Sequence, residues 1–299
     1  MVFLGFPFAP IAPASRAPIA DLLARHPQSL SDYTFASLSV WSSVFDYRYA
    51  LVEPDTVLFM SHEGPDRQAA LLQPVGRFSP KVQADLLAHA RELPYPLAIQ
   101  SVGDEFLARH PEFVAHFHVE THRDHANYVY AAKDLAELAG RRFAKKRNLI
   151  EQASRLHAWQ VEPLGPQHVR ECLEIGDDIA AKRTTLTLQQ ESLALASAVS
   201  RFEELGLSGL LLHAEGGPAA FSIFDCLSST TAVVLFERAL RSKKGFYQVI
   251  NRETARVLAA RGISFINREE DLGDPGLRRA KLSYYPSRLE NKHTLTLRR

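Results

Sequence analysis

Alternating short strands and helices, a run of three strands ahead of a long helix, and an ordinary globular composition predict a mixed α/β fold for this 299-residue chain. Apolar residues make up 46% and charged residues 23%, which supports a sizeable core and argues against wholesale disorder. At this length two compact units are expected. No low-complexity linker marks the junction, and the pattern changes near residue 155, giving units 1–155 and 156–299.

In chain order, Leu22 and Leu23, then Phe35, Leu38 and Trp41, fall at helical spacing within Pro18–Trp41. Short strands are expected at Tyr49–Val52, Thr56–Met60 and Ala69–Gln73, separated by Glu53-Pro54-Asp55 and Gly64-Pro65-Asp66. Ser79 can cap a helix over Pro80–Arg91, with Pro80 in its first turn. Leu97–Val102 and Phe113–Glu120 read as extended. Lys133–Leu156 reads as a long helix broken at Gly140, with Phe143, Ile150, Ala153 and Leu156 on its apolar stripe. The second half then gives strand His157–Leu164, helices over Gln167–Arg183 and Gln189–Gly206, and strands Gly209–His213, Ala219–Leu227 and Thr231–Glu237. Helix Gly245–Arg261, strand Ser264–Asn267, a short helix from Pro275 and a strand at His293–Leu297 close the chain. This is the element order of an acetyltransferase-like fold.

Several function classes are set aside by composition. The net charge is +1, so any anion site is local rather than global. Cys172 and Cys226 form no disulfide framework and read as two buried thiols in a reducing, cytoplasmic compartment. The apolar first twenty residues carry four prolines and lack a basic leader, and no later run is long enough to span a bilayer. Contact with a membrane surface stays open. His116, His118, His122 and His125 lie close together, but their spacing suits no zinc motif, so no metal is expected.

The chemistry concentrates in residues 265–281. There a strand delivers Asn267, Glu269, Glu270 and Asp271 toward a helix capped by Asp274 and opened by Pro275. Arg278 and Lys281 share a face of that helix. Alternation along Thr231–Glu237 places Val233, Leu235 and Glu237 on one face. A carboxylate ending an apolar row needs a cation, for which Lys281 and Arg278 are the candidates. The following loop holds Arg238, Arg241, Lys243 and Lys244 but one glycine, Gly245, so it departs from the turn that cradles a coenzyme A pyrophosphate. Arg141, Arg142, Lys145, Lys146 and Arg147 put five positive charges in seven residues, a pattern suited to phosphates.

Three stretches resemble the C-terminal domain of phosphatidylglycerol lysyltransferases and their stand-alone soluble relatives. They are Tyr128–Asn148, the segments from Ala220 to Asn251, and Ile266–Pro286 with its run Asn-Arg-Glu-Glu-Asp-Leu-Gly. Tyr33-Thr34-Phe35 through Trp41 fits as well, so nearly the whole chain is covered. The resemblance implies two tandem GNAT-like (acyl-CoA N-acyltransferase-like) domains. It also implies kinship with enzymes that move an aminoacyl group from aminoacyl-tRNA to a lipid, peptide or small-molecule acceptor, with no added cofactor. On that expectation Glu237, Asp271, Arg278 and Lys281 are catalytic. Asn267, Glu269, Glu270, Tyr285 and Lys244 bind substrate, and Arg141, Arg142, Lys145 and Lys146 contact tRNA. An acyl-CoA donor and a non-catalytic RNA- or anion-binding module are the rivals.

Overall fold

Two large sheets organise the chain in the computed structural model, which describes residues 1–52, 54–63, 68–180 and 186–299. Glu53, the Gly64-Pro65-Asp66 turn and the last residues of the expected Gln167–Arg183 helix lie outside the described residues. One unit comprises Met1–Asn127, Glu270–Asp274 and Leu289–Arg299; the other comprises Tyr128–Glu269 and Pro275–Arg288. This partition is not the linear one at residue 155, because strand pairing recruits distant segments to each sheet. The C-terminal strand His293–Leu297 pairs antiparallel with both Ala98–Val102 and Phe117–Thr121.

In the first unit the sheet runs through Arg48–Val52, Thr56–Glu63 and β1 (Gln68–Leu72), then α1 (Pro80–Arg91) leads to β2 (Ala98–Val102). Ser79 accepts the Val82 N–H at 3.4 Å and Pro80 occupies the first turn, as local chemistry predicts. β1 and β2 are parallel and pair at Leu71–Ile99 and Leu72–Gln100. Val82, Leu86 and Ala90 of α1 bury one stripe against Leu58, Leu71, Ile99 and Phe106. Phe113 belongs to a short helix, Pro111–Val114, and extension begins only at Phe117, so the expected strand from Phe113 starts late. Pro111 suits a first helical turn, which outweighs the extended look of the apolar pair that follows.

The second unit repeats the scheme. Its strand order is Trp159–Pro163, Ser208–Ala214, β4 (Gly217–Cys226), β5 (Thr231–Ala239), β6 (Phe265–Asn267), β3 (Asn127–Ala131) and Arg288–Glu290. The expected long helix divides around Gly140 into Ala132–Glu137 and α2 (Ala144–Leu156). α3 (Phe246–Ala260) buries Phe246, Val249, Ile250, Asn251, Thr254, Ala255 and Leu258. α4 (Pro275–Leu282) follows β6. Both units are mixed α/β with a parallel strand pair bridged by a helix, the tandem GNAT-like architecture. Two local expectations are corrected. Cys226 ends β4 and is exposed rather than buried, and Leu156, at the last position of α2, is 69% exposed because the apolar stripe stops at Ala153.

Candidate functional site

In the second unit β5 and β6 pair at Thr231–Phe265, Ala232–Ile266 and Val233–Asn267, where β6 stops. β5 continues to Ala239, so the two strands form a fork with Glu237 on its longer limb. A bulge shapes that limb. Ile223 pairs with Phe236 but Phe224 pairs with Val234, leaving Leu235 as the extra residue. Cross-strand partners share a face, so Val234, not Val233, lies on the side of Ser222 and Glu237. The alternation read from sequence breaks there because a bulge shifts the phase by one.

Glu237 has a cation, but it is Arg268 rather than Arg278 or Lys281. Arg268 Nη2 lies 2.7 Å from Glu237 Oε1, and Asn251 Nδ2 donates to Oε2 at 3.1 Å. Burial works against the Arg268 charge, while the Glu237 carboxylate beside it keeps the guanidinium protonated. Its carbon sits 5.1 Å from the Tyr284 ring centroid and 5.6 Å from that of Tyr130. Burial, opposed by the Arg268 charge, pushes both phenols well above their ordinary range, so they remain hydroxyl donors. Tyr130 donates to the Lys281 carbonyl at 2.9 Å. On β4, α3 and Arg268 itself, Ser222 Oγ, Asn251 Oδ1, Thr254 Oγ1 and Arg268 Nη1 are buried without hydrogen-bond partners among the described residues. Four such atoms around one ion pair mark a polar interior that the apolar packing of α3 does not require.

The other expected site residues divide between the units. Lys281 is buried, donates to the Arg268 carbonyl and lies 5.6 Å from the Tyr128 ring centroid. Asn267 is fully buried and accepts the Glu269 N–H at 2.8 Å; Arg278 is half-buried on α4. Asp271 belongs to the first unit, fully buried, accepting Gly273 N–H at 3.0 Å and facing Arg123 at 3.3 Å. Glu270, in the same unit, accepts from Asn127 at 3.2 Å and lies 3.8 Å from Lys292. Lys292 is also 2.8 Å from Asp32, and although burial opposes it, this cation holds that carboxyl below its ordinary range.

The basic run is not one solvated face. Lys146 stands three residues after Phe143 and four before Ile150, which puts it on the apolar stripe. Its ammonium lies 3.9 Å from the Tyr284 ring centroid and 2.6 Å from Ser283 Oγ. Arg147 donates to the Leu138 and Gly140 carbonyls, and Arg142 pairs with Asp134 at 2.6 Å. Arg141 and Lys145 remain exposed. Tyr285 is exposed at φ +54°, with its ring 5.5 Å from Phe143. In the loop after β5, Arg238 pairs with Glu191 and Lys243 with Glu215, while Lys244 is exposed. Gly245 has φ +95°, and a Cβ there would lie 2.4 Å from the Leu149 carbonyl oxygen. That glycine serves the close approach of α2 and the loop.

The first unit has a fork of its own, between β1 and β2. Gln73 spans it, accepting the Gly103 N–H at 2.9 Å and donating to Gln28 at 2.6 Å. The pocket beside it, bordered by Gln28, Tyr33, Gln73, Gly103 and His110, encloses about 20 Å³, room for one water. Among the described residues no three His, Cys, Asp or Glu side chains group as metal ligands.

Two tandem forked α/β units, one fork lined by buried charge, define an acyltransferase-type architecture. The chain belongs to the phosphatidylglycerol lysyltransferase C-terminal family, matching it over residues 23–296. It is similar to a conserved protein of unknown function from Bacteroides thetaiotaomicron VPI-5482, with 31% identity over 98% of this chain and 100% of that one, TM-score 0.91. L-PGS from Bacillus licheniformis shares the fold at 15% identity, covering 94% and 91% of the two chains, TM-score 0.67. FemX shares it at 9% identity, covering 98% and 97%, TM-score 0.65. A search of curated proteins finds no match. Among the described residues no helix is long and apolar enough to cross a membrane.

Proposed function

We propose that the chain is an aminoacyltransferase that takes an aminoacyl group from aminoacyl-tRNA in the cytoplasm and passes it to an amine or hydroxyl acceptor. The observation that carries this reading is the charged, aromatic-walled fork of the second unit in a chain of the lysyltransferase family. An aminoacyl ester is already activated. The acceptor nitrogen or oxygen attacks its carbonyl, the ester C–O bond breaks, and the proton lost by the acceptor replaces the bond at the tRNA hydroxyl. The protein therefore has to orient two substrates and stabilise an oxyanion.

On this reading Arg278 and Lys281 from α4 offset the developing negative charge. Glu237 holds Arg268 rather than acting as a free base, since both its oxygens are engaged. Exposed Arg141 and Lys145 meet the RNA backbone, with Tyr285 and Lys244 at the substrate's edge. A coenzyme A donor is disfavoured because Gly245 is committed to helix packing and two of the loop's cations are paired.

The test offers the protein labelled aminoacyl-tRNA pools and labelled acyl-CoAs with a cell-extract acceptor fraction. Label should leave the tRNA for a new amide or ester, and Arg278→Ala should slow this about 10²-fold or more without unfolding the chain. Transfer from acyl-CoA alone would replace the reading with the coenzyme A one. Equal binding of charged and uncharged tRNA without turnover would leave only a binding module.

A further inference from the structure

Lys146 and Arg268 reach one aromatic wall from different elements, α2 and the end of β6. Lys146 Nζ is 3.9 Å from the Tyr284 centroid and the Arg268 carbon 5.1 Å. The only polar partner of Lys146 among the described residues is the neutral Ser283 hydroxyl, at 2.6 Å. No carboxylate pairs with it. Arg268 gives Nη2 to Glu237, while Nη1 is buried with no hydrogen-bond partner among the described residues. Glu237 accepts from Arg268 and Asn251, and among the described residues it forms no ion pair with Lys146.

A half-buried ammonium set beside a buried guanidinium is unfavourable, and a second anion beyond Glu237 would relieve it. Lys146 registers the strain: burial first, and then the Arg268 charge, push its ammonium down to about 8. By contrast Lys145, one residue away, points to solvent.

We propose that Lys146 and Arg268 form a subsite for a substrate oxyanion, the chemistry shared by a phosphate monoester and a carboxylate, with Tyr284 as its wall. The bound anion accepts from Arg268 Nη1 and from Lys146, and its charge offsets the repulsion between them. The subsite does not depend on an aminoacyl donor, so failure of transfer would leave it standing.

Sulfate, whose charge is constant over the range used, and acetate are titrated into the full chain by calorimetry at fixed ionic strength. At pH 7 at least one should bind; tighter sulfate indicates a phosphate ligand and tighter acetate a carboxylate. Lys146→Gln should weaken that binding about tenfold or more, the loss expected for one charge-assisted hydrogen bond. Raising the pH to 9.5 should weaken wild-type binding similarly, since Lys146 loses its proton while Arg268 keeps its own and the Tyr284 phenol stays neutral. Lys146→Arg should bind equally at both pH values. Because Arg268 variants disturb a buried ion pair, the Lys146 pair of variants carries the test. Binding unchanged in Lys146→Gln, a wild-type affinity indifferent to pH, or no titration by either anion would overturn the proposal.

Discussion

The two forks share a backbone plan and differ in what fills them. In the first unit a neutral amide, Gln73, ties the limbs together and leaves space for one water. The helix beyond it is capped by its own Ser79, which takes the Val82 N–H. In the second unit the limbs are spanned by the Glu237–Arg268 ion pair, flanked by tyrosines and by a lysine from α2. A neutral bridge satisfies itself. A charged one that leaves a buried N–H over among the described residues is the place proposed for a ligand's acceptor atom. The comparison teaches where the proposed chemistry has its means: the first fork closes on neutral groups, and the second keeps buried charge.

The largest expected effect tests the charged bridge. Arg268→Ala strands a buried carboxylate and should cost about 3–5 kcal/mol of stability, read by urea denaturation. Adding Glu237→Gln should recover part of that loss; full additivity of the two substitutions would mean the pair is not coupled. A smaller effect separates the forks by function. Gln73→Leu leaves the Gly103 N–H unsatisfied and should cost about 1–3 kcal/mol, with any transfer activity of the folded fraction intact. Loss of transfer in a well-folded Gln73→Leu protein would make the first fork part of the chemistry.

The smallest effect is a pH dependence of the same sign in the two units, in two separate windows. Lys146 titrates near 8 when folded, below its ordinary range when unfolded, so the unfolded chain binds more protons between those values. This residue's contribution therefore makes stability rise with pH from about 8 toward 10.5, and that rise should vanish in Lys146→Gln. Asp32, held low by Lys292, gives the same direction in acid: its contribution is full above the ordinary carboxyl range and is lost as the pH falls through its lowered value. Denaturation midpoints should rise with pH in each window.

Much of the scaffold was legible in sequence because its signals are local. Ser79 and Pro80 mark a helix that runs over the very residues expected, Pro80–Arg91, and the strand His293–Leu297 is likewise found where its pattern places it. Thr231–Ala239, Phe246–Ala260 and Phe265–Asn267 follow in the predicted order. β3 was not legible as a strand, since Tyr128–Tyr130 leads straight into a helical pattern and its partner β6 lies far along the chain. Arg268 was visible as a residue but not as the partner of Glu237, because the two are 31 positions apart and meet only through the parallel pairing of β5 and β6. The bulge at Leu235 has no signature in an apolar run. Lys146 is the instructive case: its charge grouped it with the tRNA-contacting residues, while its spacing from Phe143 and Ile150 already put it on the buried stripe.

The central claim is that chemistry resides in the second fork. A short RNA hairpin carrying a photoreactive, non-hydrolysable aminoacyl group at its 3′ end tests this directly, with crosslinked peptides identified by mass spectrometry. Adducts should fall within 128–147 and 265–285 and be competed by aminoacyl-tRNA. Adducts confined to 28–33 and 103–110, beside the fork that Gln73 closes, would contradict the assignment.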